Sequence, residues 1–441
     1  MPATPLDSAI YRDLLGDAEV GALFSDSAEV RAMLLVEGAL AKVQGAMGVI
    51  PEVSAQAIHR ASLELQVDPA GLSAATGANA VPVPALVGAF RSQMQAPEHA
   101  QYVHWGATSQ DIVDTALMLR LRQVLVILER RLLATTKALG ALAEAGADQP
   151  MAGRTYGQAA TPTSFGAVVA AWGQPLIGHH AKLSVVRGDL LHVSLSGAAG
   201  TLSAMGDDGP AIRTGLAEAL NLADPGGSWH STRDTVAGFA AWLTAVTGSL
   251  GKLGEDIVLM TQSGIGEVAL GATGGSSTMP QKANPVQPSL LGAIARQMVG
   301  LNTVMQGAVL HRQQRDGAAW IAEWLSLPQM CLLAARALAI AETLVPHITP
   351  NPHAMVRNLD DGLGLIHAEA LTFALAATMP RPKAQEAVKA LCARARDTGT
   401  PLPELARADH PDLAASVFAP ATAMGQAPAE ARAFAAAARA L

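Results

Sequence analysis

The chain has 441 residues, half of them hydrophobic and only 15% charged, with a formal net charge of −7 and two cysteines, Cys331 and Cys392. That length supports two or three domains around a large buried core, and so small a charged fraction implies apolar surface buried between subunits as well as within one. The acidic balance argues against nucleic acid as a general partner, which needs a basic face, but leaves room for a small anionic substrate held by local lysines and arginines.

Aromatics are scarce at 4%, while Ala and Leu abound, which favours helix over sheet. The opening "MPATPLDSAIYRDLLGD" lacks the basic start and apolar core of a secretory signal. No apolar run reads as long and charge-free enough to span a bilayer, so a cytoplasmic protein with no membrane partner is expected. The two cysteines, far apart in sequence, read as reduced core residues. In chain order, "SAEVRAMLLVEGALAKVQGAMG" places apolar residues three and four apart and stops at Gly48 and Pro51. Residues 115–148 run without proline, with Leu117, Leu121, Val124, Leu128 and Leu132 in one stripe and arginines opposite. Such a length suits a long helical bundle. Further helical blocks are predicted at about 163–188, 235–261, 287–312 and 326–345, with a Pro-rich break near 350 and an Ala-rich tail. No alternating β pattern of useful length stands out. The chain therefore reads as all-α in three parts: an N-terminal helical domain (1–105), a central long-helix bundle (106–347) and a C-terminal helical domain (348–441).

"GIGEVA" (264–269) fits a dinucleotide-type G-x-G-x-x-A, but that motif works only after a buried strand, and "LGEDIVLMTQS" before it reads as helix. No H-E-x-x-H or Cys/His cluster is present to suggest a metal. Neither a cofactor nor a metal is expected.

Four polar segments stand at the ends of predicted helices. "HWGATSQDIVDTA" (104–116) offers Thr108 and Ser109 at a helix N-terminus, where hydroxyls and unpaired backbone N–H groups suit a carboxylate, although Ser109 or Asp111 could equally serve as a simple cap. "GRTYGQAATPTSFG" (153–166) groups Arg154, Thr155 and Gln158 in what reads as a capped loop. "GGSSTMPQKANP" (274–285) carries Ser276, Ser277, Lys282 and Asn284. "HRQQRDGAAWIAEW" (311–324) places Arg312, Arg315, Trp320 and Glu323 about a helix break at Gly317. A serine can move a proton where cations and N–H donors stabilise its alkoxide. A lysine and an asparagine can hold a carboxylate whose charge grows as a proton moves at the adjacent carbon. Gly274 and Gly275 would let such a loop open and close.

"GSSTMPQKANP" (275–285) closely resembles the signature of the fumarase/aspartase superfamily, G-S-S-x-M-P-x-K-x-N-P, and "GATSQDIVDTA" and "GRTYGQAATPTSFG" resemble its first and second active-site regions, in the family's order. The resemblance implies the family's three-domain fold and a homotetramer in which each active site draws its three regions from three subunits. It also implies roles: Ser276 for the proton, with Lys282, for catalysis, and Asn284, Thr108 and Ser109 for binding a substrate carboxylate. His104 matches a histidine of the adenylosuccinate lyase branch and joins Arg154, Tyr156 and Gln158 as a binding residue, and Arg315 is the candidate for a further carboxylate.

One departure directs the choice of reaction. Eliminating members read G-R-T-H in the second region, with the histidine serving the leaving group; here the position is Tyr156. An aromatic residue there, and the downstream "RDGAAWIAEWLSLPQ", resemble the lactonising branch that acts on 3-carboxy-cis,cis-muconate. That branch needs no acid for a departing group, since a substrate carboxylate adds to a conjugated double bond. The implied function is an intramolecular cycloisomerase of aromatic catabolism acting on a polycarboxylate. The alternative is a fumarate-forming lyase of the adenylosuccinate or argininosuccinate type, and Ser276, Ser277 and Tyr156 remain open as proton donor.

Overall fold

The computed structural model describes residues 4–360 and 362–441, and it is built of helices with a few short strands. The chain forms two compact units. One comprises the described residues up to Arg130 with Ala181–Thr247 and Ile294–Arg336; the other comprises Arg131–His180, Gly248–Ala293 and the described residues of Ala337–Leu441.

In the first unit the helix Asp26–Ala46 starts where the Ser25 hydroxyl accepts the Ala28 N–H at 3.3 Å. It buries Met33, Leu34, Val36 and Leu40. Against it packs the helix Glu52–Glu64, so closely that a Cβ on Gly45 would sit 2.2 Å from that of Ala55. The same core takes in Ile112, Val113 and Ala116 from the start of the long helix Ser109–Ala145, and Trp320 from the helix Gly317–Leu344. The long helix thus begins six residues before the predicted 115, because Asp111 ties down its first turn (below). Gly317–Leu344 likewise starts earlier than 326: the Asp316 carboxylate accepts the N–H groups of Ala318 and Ala319 at 2.9 and 3.3 Å.

In the second unit the segment read as a capped loop is instead a β-hairpin, Pro150–Thr155 against Gln158–Ser164. Thr155 pairs with Gln158 around the two-residue turn Tyr156-Gly157, whose φ values of +51° and +75° give the left-handed geometry that matches strand twist. The alternation is too short and too rich in Thr, Gly and Ala to register as a strand pattern, and the turn's first residue is a tyrosine rather than Asn or Gly. The helix Phe165–Ala181 follows and packs on the C-terminal helix Ala427–Arg439, with Phe434 occupying the space a Cβ on Gly173 would need, 2.1 Å away. Leu371, Leu375, Val388, Leu391 and Leu402 form a separate small core.

One expectation needs correction. Two helical stretches, Asp234–Met260 and Gly317–His347, are long and apolar enough to cross a membrane, yet 61% of each apolar window is buried within the fold, as in core helices. Both cysteines are free; burial pushes both thiols up.

Candidate active site

Asp111 organises the first polar segment. Fully buried, its carboxylate accepts the N–H groups of Thr108 at 2.9 Å, Ser196 at 2.8 Å and Gly197 at 3.0 Å, and pairs with Nε2 of the buried His230 at 2.8 Å. Asp111 is therefore the residue that closes the helix N-terminus, reaching back from its third position as in a capping box. The Thr108 hydroxyl is left for another partner, and Arg315 Nη2 donates to it at 3.3 Å. Arg315 Nε donates to Oε1 of the Gln110 side chain at 2.8 Å, which fixes the guanidinium over the start of the helix. The structure so brings together Thr108, Ser109 and Arg315, which are distant in sequence, with Ser109 the first helical residue.

His104 lies just ahead of this turn in a left-handed backbone conformation, φ +63°. Its Nδ1 is 2.7 Å from Oε1 of Glu37, a carboxylate only 1% exposed on the helix Asp26–Ala46. Burial alone would depress the imidazole, but the Glu37 hydrogen bond and charge, with Asp111 beyond, hold it above the ordinary histidine value against the opposing Arg91. One turn further along the long helix, Asp114 accepts Arg233 Nη1 at 2.7 Å and Trp320 Nε1 at 3.0 Å, while Arg233 also donates to Glu323 at 2.6 and 2.8 Å. All three charged groups are at most 2% exposed. The guanidinium stacks on Trp229 at 4.6 Å, and the two carboxylates drive its affinity for the proton up despite burial. Glu323 and Trp320 are thus structural supports beneath the site, and Arg312, paired with Asp316 at 2.5 Å, anchors the loop before them.

In the other unit, Arg154 makes a bidentate pair with Glu267, 2.6 and 2.9 Å, and Asn358 Nδ2 donates to the same carboxylate at 3.2 Å. Glu267 is the glutamate of "GIGEVA", and it precedes the short strand Val268–Leu270 and follows the helix Asp234–Met260. That is the reverse of the strand-then-helix order a dinucleotide motif requires. The hairpin anchored by Arg154 carries Gln158 on its second strand and Tyr156, fully exposed, at its tip.

The serine loop is pinched at its base, where Gly274 and Asn284 exchange both backbone hydrogen bonds, 2.8 and 2.9 Å. A Cβ at position 274 would come within 2.5 Å of the Val286 side chain, so a larger residue there would have to push that side chain aside. Within the loop the Ser276 oxygen accepts the N–H groups of Met279 at 3.1 Å and Thr278 at 3.3 Å. Two backbone donors aimed at one hydroxyl oxygen are suited to stabilising it as an alkoxide. Lys282 and Asn284 line a cleft of about 580 Å³ with Met279, Thr261 and Gln262. Asn284 is steadied by the loop neck, and its Nδ2 lies 3.5 Å from the Gly275 carbonyl.

A model of a lyase family matches residues 19–300. The chain belongs to the fumarase/aspartase superfamily of lyases. Within that superfamily it is 39% identical over 403 residues, 90% of this chain and 86% of the relative, to the 3-carboxy-cis,cis-muconate cycloisomerase of Pseudomonas aeruginosa. Its fold superposes on the 3-carboxy-cis,cis-muconate lactonizing enzyme of Pseudomonas putida with a TM-score of 0.92 at 33% identity, covering 98% of this chain and 99% of that one. A fumarate lyase from Mesorhizobium sp. BNC1 superposes with a TM-score of 0.90 at 35% identity, covering 96% and 98%. The superfamily's long-helix bundle is the fold seen here.

Glu37, His230, Arg233 and Glu267 are among the supporting residues that escape sequence reasoning. Glu37 carries a usable signal, a carboxylate inside the apolar stripe of a core helix. The others stand in loops or at helix starts, where charged residues are ordinary.

Proposed function

We propose that the chain is a cofactor-independent isomerase that closes 3-carboxy-cis,cis-muconate to 4-carboxymuconolactone in the breakdown of aromatic compounds. The observation that carries this reading is the near end-to-end likeness to relatives of that activity. Lys282 and Asn284 hold one substrate carboxylate. Thr108, Ser109 and Arg315 hold another at the helix N-terminus, with His104 beside them; Arg154 and Gln158 shape the second wall. A third carboxylate of the substrate adds through oxygen to the conjugated double bond. One C–O bond forms, and the displaced π pair moves to the carbon beside a clamped carboxylate as an enediolate. The Ser276 hydroxyl gives its proton to that carbon, forming one C–H bond; the alkoxide left behind is held by the Thr278 and Met279 N–H groups and regains a proton from solvent. Nothing departs and nothing is oxidised, so the neutral phenol of Tyr156 costs the reaction nothing.

The proposal extends to assembly: a homotetramer of cytoplasmic, three-domain chains whose sites each combine regions from three subunits. Its support is the resemblance to a family whose sites combine three subunits, together with the exposure of Tyr156 at the hairpin tip and of Val126, Leu259, Val299 and Leu325 on long helices. Sedimentation at four times the chain mass is expected; a monomer would contradict it. The eliminating alternative is not favoured, since relatives 39% and 37% identical over most of the chain are cycloisomerases and Tyr156 stands where that chemistry keeps a histidine. Incubation with 3-carboxymuconate separates the two: loss of diene absorbance without fumarate supports lactonisation, whereas unchanged absorbance, with fumarate formed from a succinyl substrate, supports elimination.

A further inference from the structure

The helix Asp26–Ala46 is a core helix, yet it buries two polar side chains two turns apart on one face, Glu37 and Gln44. Both turn to the same short segment. Glu37 meets His104 at 2.7 Å, and Gln44 Nε2 donates to the Trp105 carbonyl at 2.8 Å. Each keeps one buried oxygen with no partner among the described residues, Oε2 of Glu37 and Oε1 of Gln44. A buried, incompletely satisfied carboxylate is a poor device for stability, since an apolar residue would serve the core better. The arrangement is explained by what it does to His104, which keeps 20% of its side chain exposed while its acid partner is sealed off.

We propose that Glu37 is a positioning residue that fixes the His104 ring and keeps it as an imidazolium, so that the first region presents a fixed positive charge to a substrate carboxylate beside the Thr108 and Ser109 hydroxyls. The charged groups acting on the ring are Glu37 from its own buried helix, Asp111 from the start of the long helix, and Arg91, which opposes them and is itself tied to the Val103 carbonyl at 2.7 Å. The carboxylates prevail, so the ring stays charged above the ordinary value of 6.5. The substrate half of this inference rests on the lactonising reading; the state of His104 does not.

Two measurements test it. Histidine C2-hydrogen exchange read by mass spectrometry on the substrate-free wild-type enzyme gives the His104 titration directly. A midpoint above 6.5 is expected, and one at or below it overturns the proposal whatever the enzyme's substrate. The second is the pH profile of KM and kcat with 3-carboxymuconate for Glu37→Gln, Glu37→Asp and His104→Gln. At pH 8 a histidine returned to 6.5 is charged in only about one molecule in thirty. KM for Glu37→Gln should therefore rise between about threefold and thirtyfold at pH 8 and less than about twofold at pH 6, with kcat nearly unchanged. Glu37→Asp should recover part of the loss, and Glu37→Gln should add nothing on a His104→Gln background. A loss equal at both pH values, or additive with His104→Gln, would mean that Glu37 serves only packing. Failure of the lactonisation assay itself would leave the exchange titration standing.

Discussion

Replacing Ser276 by alanine removes the one hydroxyl in the loop that has two backbone donors trained on it, Met279 N–H at 3.1 Å and Thr278 N–H at 3.3 Å. Hydrogen bonds to a charged oxygen are worth about 1.5–3 kcal/mol each, so the pair can stabilise the alkoxide by about 3–6 kcal/mol. The lower end applies here because the loop is open to water. Loss of a proton-transfer group costs about 10²–10⁴-fold in rate, equivalent to roughly 3–5 kcal/mol on the barrier, and the two figures agree. Folding should scarcely notice. The orphaned N–H groups lie in an exposed loop where water replaces the hydroxyl, a cost below about 1 kcal/mol. The assay is the decay of substrate diene absorbance under saturation, alongside urea denaturation of the same preparation. A kcat reduced by 10²–10⁴ with an unchanged urea midpoint is expected. Turnover within about threefold of wild type would remove Ser276 from the proton transfer, and a large shift in midpoint would mean that the loss of rate reports misfolding.

Two further substitutions probe the supports. Tyr156→Phe keeps the hairpin and removes only an exposed phenol oxygen, so stability should stay within about 0.5 kcal/mol and kcat within about tenfold; a fall of the size expected for Ser276→Ala would assign the proton to the phenol. Arg233→Met strands Asp114 and Glu323 in the core without their common cation, a loss of about 3–5 kcal/mol by denaturation. A loss under about 1 kcal/mol would contradict the closed network described above.

The long helices were legible because their apolar spacing runs over many turns, and the superfamily signature was legible because its residues are contiguous. What stayed hidden lies where distant segments meet. "GRTYGQA" has no strand periodicity, and only the turn at Tyr156 and Gly157, both left-handed, discloses the hairpin. Arg154 read as a binding residue, and its bidentate bond to Glu267, 113 residues away, adds a bracing duty that spacing could not suggest. Thr108 and Arg315 were each singled out on local grounds, but their contact across 207 residues belongs to the fold. From the sequence Asp111 reads as a helix cap. It is that, and also the partner of His230 and of a third segment at Ser196 and Gly197.

The central claim is an intramolecular ring closure completed by one proton delivered to carbon. Turnover of 3-carboxymuconate in deuterium oxide, with the product identified by NMR, tests it most directly. The account predicts a single lactone carrying one deuterium on the carbon next to a carboxylate, and no fumarate. An acyclic product, a lactone without deuterium at that carbon, or release of fumarate would contradict it.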